Sequence, residues 1–286
     1  MREISDVKEL QQVLLELLAW FKAFCEAHEL TFFLSNGTLL GAAKYQGFVP
    51  WDDDVDIIMP RADYDRLVRM TEIRGGRYRL LCRETTPDWR LPYAKLSDTR
   101  TFVQESDYDF GAEIGAFLDI FPIDRWHPNR AVAAVQAVSS EVLKRMLVFA
   151  NAGSFHTERR GVKRWILFAL WTAGRCMGYE RLCRKILRRA DRSRAYPEKL
   201  VGCVVWTSHL TREILPASVF FKGETLTFCG EVYPVPVGYA MYLDRLYGCW
   251  REDPPEVRQK SNHTIRVWWK EEGGESCEEG HDGSGC

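Results

Sequence analysis

The chain lacks the features that mark a disulfide scaffold, a zinc ribbon, a secreted protein or a membrane span. Its 286 residues include nine cysteines, an odd number, and no two of them form a C-x-x-C pair. Neither a disulfide framework nor a structural zinc site is therefore indicated. The N-terminus, residues 1–6, lacks the apolar region expected of a signal peptide, and no apolar run reaches the length of a transmembrane helix. We expect a reduced, cytoplasmic protein.

The chain also lacks a net charge of either sign. Lys and Arg total 39 against 40 Asp and Glu, which gives a formal net charge of −1. Because nucleic-acid binding needs a basic excess, this balance argues against it. The charges are unevenly placed, however. Residues 159–199 hold thirteen Lys or Arg and three acids, whereas residues 271–286 hold six acids and no Lys or Arg.

What the chain does have is a run of carboxylates set among apolar residues. Asp52, Asp54 and Asp56 are spaced by two, so in a strand their side chains project from one face, and Asp53 faces away. Stacked carboxylates repel one another, and a hard cation relieves that repulsion. Acidic runs are more often solvated turns, but the apolar flanks of this one favour a metal site against the core.

A glycine-rich turn precedes the acidic run. Residues 37–41 read G-T-L-L-G, and a short helix is predicted over residues 38–44. Free backbone N–H groups at such a turn are suited to hold phosphates beside a cation. The two motifs together predict metal-dependent chemistry on a phosphate-containing substrate.

Asp119 is the third informative feature. It lies in the middle of the most hydrophobic predicted strand, residues 115–122, where a buried carboxylate is costly unless it is paired or binds a metal. One interpretation makes it the partner of a core Arg or Lys. The other places it beside Asp54 and Asp56 in an oxygen cage for Mg²⁺ (or Mn²⁺).

Three blocks of sequence carry a resemblance to a known family. They are residues 37–57, 117–124 and 235–255, which read G-T-L-L-G-A-A-K-Y-Q-G-F-V-P-W-D-D-D-V-D-I, F-L-D-I-F-P-I-D and V-P-V-G-Y-A-M-Y-L-D-R-L-Y-G-C-W-R-E-D-P-P. On these blocks the chain resembles the LicD family of phosphocholine-type transferases, which is related to fukutin and fukutin-related protein. The similarity is weakest across the basic stretch.

The resemblance implies an α+β, nucleotidyltransferase-like fold, in which a small mixed β-sheet is flanked by helices and carries a helical insertion. The expected domains are a catalytic core over residues 1–125, a basic helical insertion over 126–200, strands and a helix that complete the core over 201–270, and a disordered acidic tail over 271–286.

The resemblance also implies an activity. Members of this family look like metal-dependent transferases that move a phospho-alcohol, such as phosphocholine or ribitol phosphate, from a CDP-activated donor to a glycan hydroxyl. Asp54, Asp56 and Asp119 are then the metal ligands and catalytic residues, and Asp52 supports them as a further catalytic residue or base. The residues expected to contact the donor or acceptor are Gly37, Thr38, Lys44, Lys95, Arg258 and His263.

Some of these assignments have alternatives. Lys95 is also explained as a solvated lysine, and His263 as a surface residue. The family often reads G-A-V-R-H where this chain has G-A-A-K-Y at residues 41–45, so Lys44 keeps a charge but loses the bidentate fork of arginine. His28 and His209 have no supporting pattern and are expected to be structural.

The apolar stretch at residues 165–171, W-I-L-F-A-L-W, belongs to a helix predicted over residues 160–195 and has two interpretations. A basic amphipathic helix can lie on the anionic inner face of a membrane, where lipid-linked glycan acceptors are assembled. Alternatively, the helix packs on the domain and presents a solvated basic face.

Two rival functions remain open at this point. A glycosyltransferase that uses a nucleotide sugar also employs an Asp-x-Asp metal site, although the glycine turn and Asp119 favour the nucleotidyltransferase-like arrangement. A degenerate module that binds glycan or nucleotide without catalysis is the non-enzyme alternative. The presence of all three expected carboxylates argues against it.

Overall fold

The computed structural model describes residues 1–105, 108–152, 154, 155, 157, 159–255, 259 and 265–271. These residues contain seven α-helices and twelve β-strands. The helices are α1 (Val7–Ala27), α2 (Asn36–Tyr45), α3 (Arg61–Leu67), α4 (Arg130–Asn151), α5 (Val162–Met177), α6 (Tyr179–Ser193) and α7 (Tyr239–Tyr247). The strands are β1 (Arg2–Ile4), β2 (Phe33–Leu34), β3 (Val55–Pro60), β4 (Tyr78–Leu81), β5 (Ala94–Asp98), β6 (Thr101–Glu105), β7 (Phe117–Trp126), β8 (Leu200–Gly202), β9 (Leu215–Pro216), β10 (Glu224–Phe228), β11 (Glu231–Val235) and β12 (Ile265–Trp269).

The larger sheet brings distant parts of the sequence onto neighbouring strands. Its order is β2-β3-β7-β5-β4, with β8 paired to the end of β7 and β9 paired to β8. β3 and β7 run parallel and the other pairs run antiparallel, so the sheet is mixed. The predicted α+β fold with a small mixed sheet is therefore confirmed.

Helix α1 packs against strands β5 and β7 of this sheet. The side chain of Asp6 caps the helix by accepting a hydrogen bond from the N–H of Lys8. Its buried residues recur at three- and four-residue spacing: Leu10, Val13, Leu14, Leu17, Leu18, Phe21 and Cys25. The strands that carry the acidic residues thus rest on a packed core.

Two predicted elements have different bounds in the structure. The acidic strand was expected to include Asp52 and Asp54, but β3 begins only at Val55, because the chain turns first and the N–H of Asp52 bonds to the carbonyl of Val49. The helix predicted over residues 160–195 is two helices, since Gly178 has a φ of +74° and separates α5 from α6.

A separate three-stranded sheet of order β1-β12-β6 was not predicted. None of the helices in the described residues is long and apolar enough to cross a membrane. The seven cysteines in the described residues are free thiols. The predicted division into 1–125, 126–200, 201–270 and 271–286 stays a prediction, and residues 272–286 of the tail lie outside the described residues.

Candidate active site

Strand register places three charged residues side by side. Asp56 of β3 is paired with Asp119 of β7, and Asp119 is paired on its other side with Lys95 of β5. Residues at the same level of adjacent strands project from the same face of a sheet. Two carboxylates and one ammonium therefore share one face across three strands.

Asp54 joins this group from the segment that leads into β3. Carboxylate oxygens of Asp54, Asp56 and Asp119 lie within 4.8 Å of one another. A second group with the same spacing consists of Asp52, Asp53 and Asp54. The residues predicted as metal ligands are therefore close together, although Asp54 reaches the group from a loop and not from the strand that the alternation predicted.

Lys95 is a buried partner of Asp119. Its Nζ lies 2.5 Å from Oδ1 of Asp119, and the residue is only 3% exposed. The same Nζ lies 3.4 Å above the centre of the Phe117 ring, a cation–π contact. The interpretation of Lys95 as a solvated lysine is thus wrong, and Asp119 does have the core lysine partner that was one of its two explanations.

Helix α2 begins beside the acidic group and fits closely against it. A Cβ atom added to Gly37 would lie 2.6 Å from Oδ2 of Asp52, so a glycine at this position leaves room for that carboxylate. The hydroxyl of Thr38 accepts a hydrogen bond from the N–H of Asp56 at 2.9 Å. The first turn of α2 therefore holds both the loop and the strand that carry the acidic residues.

These residues open into a cavity that also has aromatic residues in its wall. The cavity has a volume of about 230 Å³ and is lined by Asp52, Asp54, Asp56 and Asp119 together with Phe121, Trp206, Phe220, Tyr242 and Tyr247. The Phe220 and Tyr242 rings meet nearly edge to face, with centroids 5.8 Å apart. Burial, and then the charges of Asp56, Asp52 and Asp54, raise the pKa of Tyr247, which keeps its hydroxyl protonated.

Two titratable residues of the cavity wall were missed or misjudged from the sequence. His209, expected to be structural, lines the cavity, and burial lowers its pKa, so the imidazole is neutral near pH 7. Glu213 accepts hydrogen bonds from the N–H groups of Ser208 and His209, both at 2.6 Å. Burial raises the pKa of Glu213 to about 7. No motif or spacing in the sequence connects these residues to the aspartates.

Other residues predicted to contact the donor are placed elsewhere. Lys44 lies at the far end of α2, about 12 Å along the helix from Asn36, which lines the cavity. Its Nζ is 2.7 Å from a carboxylate oxygen of Asp253, and it does not line the cavity. Arg258 and His263 lie outside the described residues.

The donor set suits a hard cation. Five acidic residues line the cavity, Asp52, Asp54, Asp56, Asp119 and Glu213, and no Lys or Arg does so among the described residues. Lys95 pairs with Asp119 from outside the cavity lining. Opposite oxygens around a Mg²⁺ ion lie about 4 Å apart. The oxygens of Asp54, Asp56 and Asp119 lie within 4.8 Å of one another, which is close to this spacing. These residues fit Mg²⁺ or Mn²⁺.

Comparison with known proteins points to the same family as the three sequence blocks. Residues 29–133 match the family model described as LicD/FKTN/FKRP, nucleotidyltransferase domain. The chain is 28% identical over 275 residues to the lipopolysaccharide cholinephosphotransferase LicD of Haemophilus influenzae, an alignment that covers 90% of this chain and 96% of the relative. The resemblance to the LicD family is confirmed, since the match to its nucleotidyltransferase domain covers residues 29–133.

Proposed function

We propose that this protein is a metal-dependent transferase that moves phosphocholine, or a similar phospho-alcohol, from a CDP-activated donor to a hydroxyl of a cell-surface glycan. The observation that carries the proposal is the convergence of Asp54, Asp56 and Asp119 in an aromatic-lined cavity. The Haemophilus relative is a lipopolysaccharide cholinephosphotransferase by name, and this supports both the transferred group and the glycan acceptor.

The reaction asks the protein mainly to position groups and balance charge. An acceptor hydroxyl oxygen bonds to the phosphorus that carries choline, the bond from that phosphorus to the bridging oxygen breaks, and CMP leaves. We assign Asp52 as the group that accepts the hydroxyl proton, because it lines the cavity outside the Asp54, Asp56 and Asp119 set. The backbone N–H groups at Gly37 and Thr38 face donor phosphates. A bound Mg²⁺ or Mn²⁺ supplies charge neutralisation for those phosphates.

The aromatic lining favours a cationic alcohol. A quaternary ammonium is attracted to the faces of Trp, Tyr and Phe rings, and each desolvated contact contributes about 2 kcal/mol. Trp206 and Phe121 line the cavity, and both rings contact Tyr93 behind them, with centroids 5.2 and 4.6 Å apart. Such a wall suits choline better than an uncharged polyol such as ribitol or glycerol.

The proposal includes peripheral contact with the inner face of a membrane through residues 160–195. In α5 the side chains of Val162, Trp165 and Ile166 are 75%, 71% and 55% exposed. They lie beside the exposed cations Lys163 and Arg164. An apolar helix face flanked by cations is typical of helices that lie on anionic lipid.

Product analysis tests the reaction class. The purified protein is incubated with Mg²⁺ or Mn²⁺, a glycan acceptor, and CDP-choline, CDP-ribitol, CDP-glycerol or a nucleotide sugar in turn. We expect metal-dependent release of CMP, fastest with CDP-choline. Release of a nucleoside diphosphate from a sugar donor would instead indicate a glycosyltransferase, and binding without turnover would indicate a non-catalytic module.

Variants connect the activity to the site. Asp54→Asn and Asp56→Asn are expected to lower turnover at least about 100-fold while leaving the fold intact, because each removes a charged ligand. Asp53→Asn is the matched control, since Asp53 is a neighbouring carboxylate that does not line the cavity. An equal loss in Asp53→Asn would place the metal in the group of Asp52, Asp53 and Asp54 and contradict our assignment.

A further inference from the structure

A wide groove lies between helices α4 and α6, outside the candidate active site. Its volume is about 1060 Å³, and it shares no lining residue with the aspartate cavity. The two are nevertheless neighbours, since Cys203 lines the cavity and the next residue, Val204, lines the groove. Nothing in the proposed reaction uses this groove.

One wall of the groove is apolar and exposed. Along α4, Val135, Val138 and Val142 lie on the same side of the helix and are 70%, 53% and 37% exposed. A row of valines in contact with water is unfavourable, since each gains about 1.5 to 3 kcal/mol on full burial. Contiguous exposed apolar surface of this kind marks a place where another molecule binds.

The facing wall is basic. Lys185, Arg188, Arg189 and Arg192 project from α6 into the groove at three- and four-residue spacing. Within the described residues, no carboxylate forms an ion pair with any of these four. Arg189 is the innermost, and it donates a hydrogen bond to the hydroxyl of Ser140 on α4 at 2.8 Å. The groove therefore offers cations that no acid of the described chain neutralises.

We infer that the groove binds an anionic phospholipid presented by a membrane. Its basic wall complements a lipid phosphate, and its valine wall takes the first part of an acyl chain. A free phosphate or a nucleic-acid backbone would use the cations but leave the valines exposed. The inference rests on the membrane contact proposed above, and it adds a lipid class and a site on α4 and α6 that is separate from the exposed face of α5.

Vesicle flotation with groove variants tests this site. The full chain is mixed with phosphatidylcholine vesicles that contain or lack phosphatidylglycerol. Arg188→Gln with Arg192→Gln is expected to weaken binding to the anionic vesicles about 30-fold, since each cation near such a surface contributes about fivefold. Arg181→Gln with Arg184→Gln is the matched control on the same helix outside the groove, and we expect a loss of about threefold or less.

Further measurements separate the possible failures. If the unaltered chain binds vesicles equally well with and without phosphatidylglycerol, the proposed membrane contact is wrong. If both double variants lose binding equally, the protein binds anionic lipid through a diffuse basic surface and not through the groove. Calorimetry with a short-chain phosphatidylglycerol should give binding that Val138→Asp abolishes, and equal binding of glycerol phosphate would overturn the lipid assignment. The lipid assignment would also be overturned if the protein formed a concentration-dependent dimer and Val138→Asp made it monomeric. CMP release in solution should be unchanged in the groove variants, so the two proposals can fail separately.

Discussion

Lys95 is a buried ammonium that belongs to a group of carboxylates. Removing one partner of a buried ion pair typically costs about 3 to 5 kcal/mol, because the remaining charge is left unpaired. We therefore expect Lys95→Met to lower the free energy of unfolding by about that amount without added metal. Denaturant titration with and without Mg²⁺ measures the effect.

Metal should reverse part of this loss, because a cation held by Asp54, Asp56 and Asp119 supplies the missing positive charge. Lys199→Met, which removes an exposed ammonium, serves as the control and should change stability little. If Mg²⁺ stabilises the two variants and the parent protein equally, Asp119 is not part of the metal site.

Glu213 makes stability depend on pH. Its pKa rises from 4.5 to about 7 on folding, so the folded state holds the proton more tightly than the unfolded state. The stabilisation is complete below pH 4.5 and is lost as the pH rises through about 7. Glu213→Gln cannot ionise, so it should match the parent at pH 4 and be more stable at pH 8 by on the order of 3 kcal/mol.

Urea unfolding of the parent and of Glu213→Gln across this pH range measures that difference. Glu26→Gln, at an exposed position of α1, is the control for the loss of a glutamate side chain. A constant gap between Glu213→Gln and the parent at every pH would contradict the raised pKa.

At the scale of residues, the sequence predicted the aspartates better than the rest of the cavity. Asp54, Asp56 and Asp119 stand in apolar surroundings, where an unpaired carboxylate is costly, so each calls for a chemical reason. His209 and Glu213 lie at the start and end of a short 3-10 turn after β8, where polar residues are ordinary. Only folding brings these two residues close to the aspartates, and no spacing in the sequence predicts that they lie there.

Among the elements, the first turn of α2 fits against Asp52 only because Gly37 has no Cβ atom. Gly37→Ala would bring a methyl group within 2.6 Å of Oδ2 of Asp52 and force that carboxylate to move. We expect turnover to fall about tenfold or more. Stability should hold, because alanine favours the helix by up to about 1 kcal/mol. Steady-state rates and thermal unfolding check both parts.

Gly75→Ala is the matched control, since a Cβ there meets nothing within 4 Å. It should leave turnover unchanged. An active Gly37→Ala would show that the position of Asp52 does not matter for the reaction.

Helix α5 carries its own prediction. Trp165→Ser with Ile166→Ser removes two exposed apolar side chains and should weaken partitioning onto anionic vesicles about tenfold or more. The control is Val237→Ser with Met241→Ser, at residues just before and within α7 that are 46% and 52% exposed. Flotation of both double variants with anionic vesicles tests this prediction. If the two variants partition equally, the result favours the alternative in which α5 packs on the domain.

The elements that the sequence predicted well are those with strong local signals. The 3–4 spacing of leucines predicts α1, and Gly230 between two alternating segments predicts the β10–β11 hairpin. The start of β3 was wrong because alternating aspartates read as strand even where the chain turns. β1 and β12 were missed because each is short and pairs with a partner remote in sequence.

For the molecule as a whole, a net charge near zero conceals two opposite sites. Among the described residues, the aspartate cavity is lined by carboxylates that suit a cation, and the α4–α6 groove is lined by Lys and Arg that suit phosphate. The composition gives only the net charge of the whole chain and does not show that its charges form two separate sites. Their separation depends on the fold, which puts Cys203 and Val204 at the boundary between them.

The small β1-β12-β6 sheet also sets an order of events during synthesis. β3 and β7 are both translated by residue 126, whereas β6 gains its partner only when residues 265–269 leave the ribosome. At about 5 to 20 residues per second, this delay is roughly 7 to 30 s. Until then, β1 and β6 have open edges, and their charged residues, such as Glu3 and Glu105, limit pairing with other nascent chains. Once β12 has paired with β1, Arg266 forms an ion pair with Glu3 at 2.8 Å. The carboxylate that limits pairing of the open edge with other chains then stabilises the pairing of that edge with β12.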